Sequence, residues 1–314
     1  MKKLLLPFAI ALLAQQTLSA ETFRVNNTPG SGAQYTTFDD AQKAASDGDV
    51  IIVDGSATSY GKIVVTKKIT LKGPGYFLDQ DESMNEAANP AKFEEIKVQA
   101  EGVTLTGLYI TDDINLLNNN IVVTRCNVPT IYLSKQYPKS ENAISNCIIH
   151  QNFIKYSIRS EYSNALKSTY FQITENIISC GHNAMFYRLD HATISRNTIC
   201  PKYGLATPEL SNCVFENNIC PDLTNSATTA NGNTYNNNLF LNSTPYSDIN
   251  YNSTDREVKA IDETLTTTQG AFSGNDPYVL SGLPSGPMIQ DVIMPESVAK
   301  GENLKVTVKI GSSK

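Results

Sequence analysis

The sequence predicts an all-β solenoid, a stack of short parallel strands in which each coil covers the one before it. Three observations predict it: a phrase that returns about every 21 residues, an Asn held at one place in that phrase, and a low charge fraction. Of the 314 residues, 40% are hydrophobic, 18% are charged and none is Trp. An average soluble domain carries roughly 25% charged residues. Low charge with ample apolar content excludes intrinsic disorder, and a formal net charge of −6 argues against a nucleic-acid partner.

The phrase is apolar, two polar residues, Asn, one variable residue, apolar. It occurs as Ile149-His-Gln-Asn152-Phe-Ile154, Ile173-Thr-Glu-Asn176-Ile-Ile178 and Ile194-Ser-Arg-Asn197-Thr-Ile199. It continues as Val214-Phe-Glu-Asn217-Asn-Ile219 and Tyr235-Asn-Asn-Asn238-Leu-Phe240, so the Asn steps are 24, 21, 20 and 21. Two earlier copies keep the frame and place Leu108 and Cys126 at the Asn position. Short apolar-polar alternation reads as strands with one buried face. Strands this short bury that face only by stacking on their neighbours. Equivalent residues then lie about 4.8 Å apart. A column of Asn suits such a corner, because each amide donates to one neighbour and accepts from the other. The expected ladder is Asn152, Asn176, Asn197, Asn217 and Asn238. A helical solenoid is disfavoured by the β-branched content and by Asn at mid-repeat.

The elements follow in chain order. Residues 1–20 carry Lys2-Lys3, an apolar run from Leu4 to Ala14 and small residues ending at Ala20, the pattern of a secretory signal peptide. The run is too short to span a bilayer, and no later stretch is long enough, so no membrane span is expected. Removing this segment takes the charge from −6 to −8, an acidic, exported chain. Residues 21–49 hold a strand and a capping helix, with Phe38, Ala41 and Ala45 on one face and Thr37 with Asp40 as a capping box. Such a helix covers the open end of a stack. Residues 50–245 are the solenoid, eight or nine coils. Residues 246–314 read as an irregular cap, then two alternating strands around Gly301 that form an edge hairpin or the stub of a further module.

Six cysteines in an exported chain ordinarily suggest disulfides. Here Cys180, Cys200 and Cys220 are spaced by 20 and 20, and Leu241 continues the series. The repeat therefore predicts a stacked column of free thiols, with Cys126 in the core and Cys147 and Cys213 unplaced.

Phe38-Asp-Asp-Ala41, Gly48-Asp49-Val-Ile-Ile-Val53 and Gly61-Lys-Ile-Val-Val-Thr-Lys-Lys-Ile-Thr-Leu-Lys-Gly73 resemble the opening of right-handed parallel β-helix proteins of the pectin lyase-like superfamily. Gly73-Pro-Gly-Tyr-Phe-Leu78, Gly270-Ala-Phe and Pro277-Tyr-Val-Leu-Ser-Gly-Leu-Pro284 resemble a secreted Bacteroidetes-type subgroup of it without an established activity. The resemblance implies a single-stranded right-handed parallel β-helix with three sheets per turn and the Asn ladder at the second corner. It also implies that catalytic members act on polysaccharides along the first sheet, just upstream of each Ile-x-x-Asn phrase. In this chain that face holds Tyr132, Arg159, Tyr187 and Arg188, with Asp190 and His191 at the following corner.

Two functions stand side by side at this point. One is an exported scaffold that binds polysaccharide or another glycan through Tyr132, Arg159, Tyr187 and Arg188, without catalysis. The other is a polysaccharide lyase, in which Arg159 and Arg188 supply the base and neutralise a uronate, and Tyr187 donates a proton. A trimeric fibre would need apolar strips that the sequence does not display. Glycoside hydrolysis needs two carboxylates about 5 to 10 Å apart. The adjacent pair Asp112-Asp113 is expected on opposite faces of a strand. Gly181-His182 matches only a fragment of a polygalacturonase pattern. The Ca²⁺ candidate Asp79-Gln-Asp81-Glu82 lacks EF-hand spacing, and no cofactor is expected. The missing Trp leaves Tyr as the residue for stacking on sugar.

Overall fold

The structure is a computed structural model. It describes residues 20–80, 88–133, 143–160, 166–180, 186–201, 209–222, 231–241, 245–249, 252–266 and 268–313, the last without 296 and 299. The signal-peptide segment, Asp81-Glu82 of the Ca²⁺ candidate and Gly181-His182 lie outside the described residues.

The chain forms an all-β parallel β-helix built on two long sheets. Among the described residues sheet I stacks ten strands, the N-terminal Thr22–Val25 and nine more from Val50–Val53 to Val214–Glu216 and Thr234–Asn236, the longer of the two stacks expected over residues 50–245. All pair in parallel, and Leu71, Leu105, Val123, Ile149, Ile173, Ile194, Phe215 and Tyr235 form one continuous register column. That column is the floor of the main core, buried from Leu71 to Phe215. From Thr70–Lys72 onward the strands of sheet I are three residues long, and from Thr104–Thr106 onward the backbone turns left-handed on both sides of them. Positive φ recurs at pairs five apart: Asn120 and Arg125, Asn146 and Gln151, Tyr170 and Glu175, His191 and Arg196, Asn212 and Asn217. This region is costly for side-chain-bearing residues other than Asn. The regular stacking on both sides holds Tyr, His, Arg and Glu in it.

Immediately after the second left-handed residue, Asn turns inward. The amide ladder runs through Asn152, Asn176, Asn197, Asn218 and Asn238. Each backbone N–H and side-chain amide donates to the next Oδ1 at 2.8–3.0 Å. The second hydrogen of each side-chain amide reaches a carbonyl of the coil below, such as Val123 and Ile149. At the lower end the Cys126 N–H donates to Asn152 Oδ1, so Cys126 occupies the ladder position. Asn217 does not belong to the ladder. It takes the left-handed corner and accepts from the Asn237 amide at 2.7 Å. The frame sets this: Phe215, not Val214, lies on Ile194, which moves the inward position to Asn218.

Among the described residues sheet II has twelve strands. Asn127–Leu133 and Phe153–Arg159 pair in parallel with a register shift between Val128 and Thr130. This irregularity divides the sheet into two arms. The first arm continues through Ile177–Cys180, Thr198–Pro201, Ile219–Pro221 and Leu239–Leu241. The second includes Lys62–Val65, Glu95–Val98, Asp113–Leu116 and Phe186–Tyr187. Where three separate sheets were expected, hydrogen bonding joins two faces of the coil into one sheet, and a short pair, Ser168–Thr169 with Leu189–Asp190, marks the remaining edge.

One end of the stack and one flank are covered. Helix α1, Phe38–Ala44, is N-capped by Thr37, buries Phe38 and Ala41, and ties itself to sheet II through Gln42, which bonds the Val64 carbonyl and the Thr66 N–H. The segment expected to be irregular contains a second helix, α2, Asp255–Leu265, opened by a Thr254/Glu257 capping box. A strap, residues 270–284, then crosses the flank. Gly282 lies so close to it that a Cβ there would meet the Tyr76 ring at 2.0 Å. Gly286–Ile293 and Thr307–Ser313 form an antiparallel hairpin whose strands pair only with each other among the described residues.

Cys126, Cys147, Cys200, Cys213 and Cys220 are buried free thiols. The expected Cys180–Cys200–Cys220 column does not form. Cys180 pairs with Pro201, Cys200 with Ser179, and Cys220 with Phe240. A spacing of 20 in coils of 21 slips the register by one, which reverses the face of a strand residue. Cys220 accordingly joins the main core, and Cys200 the outer cluster beneath α2. Cys147 and Cys213 both immediately precede sheet I strands and lie inside the core. No helix among the described residues is long and apolar enough to cross a membrane.

Candidate functional site

The two arms of sheet II have different outward faces. On the first arm the outward column includes Phe153, Ile177 and Ile219, buried under α2 and the strap. On the second arm the outward positions are polar. Asp113, Thr130 and Ser157 share one column, and Asn115, Tyr132, Arg159 and Tyr187 the next. The bulge makes the change, because it inserts Lys155 and Tyr156 opposite Pro129 and re-aims the strand.

These residues build a groove of about 470 Å³, lined by Thr111, Asp112, Asp113, Pro129, Thr130, Tyr132, Lys155, Tyr156, Ser157 and Arg159. Arg159 lies over the Tyr132 ring at 5.3 Å and donates to the Tyr132 hydroxyl at 3.1 Å, while its Nε is buried with no hydrogen-bond partner. Lys155 is half-buried, with its amine 5.7 Å from the Tyr109 ring centre. Burial lowers its pKa, and no described carboxylate pairs with it. Two cations, two tyrosines and a carboxylate edge therefore meet in one polar groove.

The structure brings Tyr132 and Arg159 together there and places the other sequence candidates outside it. Tyr187 stands next to Arg159 in register, but its hydroxyl reaches Glu209 at 3.4 Å. Arg188 is a left-handed residue, 5% exposed, lying over the Tyr187 ring and paired with Glu209 at 2.9 Å. A buried, paired guanidinium of this kind joins two successive coils. His191 is a corner residue, ring-packed on Tyr170 at 5.3 Å and bonded to Asp190 at 2.8 Å. Asp190 also accepts from Ser211 and Asn212. Against the desolvation of partial burial, those hydrogen bonds hold its carboxyl below the ordinary range.

Lys155, Tyr156, Asp112 and Asp113 were not singled out as groove residues from the sequence. Asp112 and Asp113 both line the groove, because Asp112 precedes the strand Asp113–Leu116 and alternation does not apply to it. The signal for Lys155 was its place directly after Phe153-Ile154, the first residue beyond the phrase. No group of His, Cys, Asp and Glu able to hold a metal occurs among the described residues. The chain matches no family model, no curated protein and no solved structure.

Proposed function

We propose that the protein is an exported β-helix scaffold that binds an acidic polysaccharide in the groove on the second arm of sheet II. The observation that carries this reading is the pair Lys155 and Arg159, two cations without a carboxylate partner among the described residues, set beside tyrosine rings. A uronate carboxylate would pair with the Arg159 guanidinium that lines the groove, and Tyr132 and Tyr156 would contact sugar faces. The resemblance to pectin lyase-like proteins agrees with this choice of ligand. Calorimetric titration with polygalacturonate, against a neutral glucan of similar length, tests it. Binding of the acidic polymer alone is expected, and equal or absent binding of both would reject it.

One observation favours a second reading, a β-eliminating lyase. The Lys155 amine, its proton affinity lowered by burial, is a suitable base for a C5 proton, and Arg159 would neutralise the adjacent carboxylate. The C4–O bond would then break, with a tyrosine hydroxyl protonating the leaving oxygen. Absorbance at the unsaturated-uronide band separates the readings: a rise abolished by Lys155→Ala means elimination, and a flat trace with intact binding means a scaffold.

A further inference from the structure

Two carboxyl groups lie on one face of α2, remote in sequence from the groove and without a part in it. Asp255 and Asp262 are seven residues, two turns, apart. Both are buried, at 0% and 3% exposure. Asp262 accepts from the Thr198 hydroxyl of sheet II at 2.5 Å and from the Tyr246 hydroxyl at 2.6 Å. Thr198 in turn accepts from the Ala271 N–H at 3.0 Å, so helix, strap and sheet meet at one hydroxyl. Asp255 accepts from the Tyr278 hydroxyl at 3.1 Å and the Ser281 N–H at 2.6 Å, and its second oxygen is buried with no hydrogen-bond partner.

The charged and titratable groups around them are few. Asp255 faces Arg256 on its own helix and Tyr278 on the strap; beyond Tyr278 lies Tyr76, whose hydroxyl bonds that of Tyr278. Arg125 acts on Tyr76 from the left-handed corner between sheets I and II. Asp262 faces Glu263, Tyr246 and Thr198, with Cys200 next to Tyr246. No cation bears on Asp262 among the described residues.

We propose that α2 is a pH-sensitive latch on the flank of sheet II, closed tightest when Asp255 and Asp262 are neutral and loosened when they ionise. Beneath it lie Phe153, Ile177, Cys200 and Ile219, so opening uncovers an apolar strip on the outside of the first arm. This holds whatever the groove binds. Burial pushes both carboxyls up to about 6, against an ordinary value of 3.8. A group raised in the docked state favours docking fully below its undocked value, and that favour is lost as pH climbs through the docked value. The window is therefore 3.8 to about 6. A rise of about two units corresponds to a roughly 100-fold weaker closure per carboxyl above the window.

Amide hydrogen exchange on the full chain, expressed as protection factors corrected for intrinsic rates, tests the latch. From about pH 4 to about pH 7.5, protection of the α2 amides is expected to fall at least roughly 100-fold, while sheet I amides such as Ile149 and Ile173 hold. Asp262→Asn keeps the acceptor and removes the charge, so it should raise α2 protection at the upper pH by roughly 100-fold. Asp255→Asn should do the same through the other contact. Protection that is flat or rises with pH in the unmodified chain would overturn the proposal, as would an unchanged pH slope in both variants.

Discussion

The strand Phe153–Arg159 begins under the C-terminal wrap and ends in the groove. Its inward residues, Ile154 and Ile158, do the same work in both halves, filling the main core. Its outward residues differ. Phe153 is fully buried, packed edge-on against Phe77 at 5.2 Å, whereas Arg159 faces the groove. The inside of a β-helix thus specifies the stack, and the outside of each arm decides whether a region is covered or open to a ligand. Apolar outward residues require a lid, which α2 and the strap supply. Polar ones whose cations face no described carboxylate partner leave a surface suited to a charged ligand.

Substitutions at the two ends of that strand should separate stability from binding. Phe153→Ala removes a large buried ring and should cost about 3–5 kcal/mol in chemical denaturation, with the groove's affinity retained in the folded fraction. Next in size is the ladder. Asn218→Ala deletes the acceptor of the Asn197 amides and the donor to the Ile194 carbonyl, so about 2–3 kcal/mol is expected from the stranded polar groups. Asn217→Ala, one residue away, loses only a corner bond to Asn237 and adds the strain of Ala in the left-handed region. It should cost about 1 kcal/mol. Equal losses from these two would contradict the corrected register. Arg159→Ala should leave stability within about 0.5 kcal/mol. The smallest effect concerns the thiols. Burial pushes Cys126 and Cys220 up to about 12 and Cys147 up to about 11. A thiol reagent at neutral pH should therefore find none of the five described cysteines until the chain is unfolded.

Much of the scaffold was legible because stacking forces the sequence to repeat. The Ile-x-x-Asn phrase located sheet I, the corner and most of the ladder, and Thr37 with Phe38 and Ala41 located α1. The errors came from features one residue wide. Asn217-Asn218 offers two amides for one inward place, and only the pairing of Phe215 with Ile194 decides between them. The evenly spaced cysteines ran against a coil of 21, so their regularity concealed a slip. Helix α2 was missed because the residues it buries include Asp255 and Asp262, which read as surface, although Thr254 and Glu257 marked its start. The groove was half legible. Tyr132 and Arg159 were expected only through the family resemblance, which implies a ligand face upstream of the phrase, and Lys155 and Tyr156 enter through a bulge that no periodicity announces.

Phe153–Arg159 divides stability from binding between its two ends, and one paired measurement tests that division. Affinity for polygalacturonate and the denaturation midpoint are determined for Arg159→Ala and Phe153→Ala alongside the unmodified chain. Arg159→Ala should weaken binding at least about tenfold, the value of about 1.4 kcal/mol of lost ion-pair contact, with the midpoint unmoved. Phe153→Ala should lower the midpoint and leave affinity unchanged. Full affinity in Arg159→Ala would contradict the account.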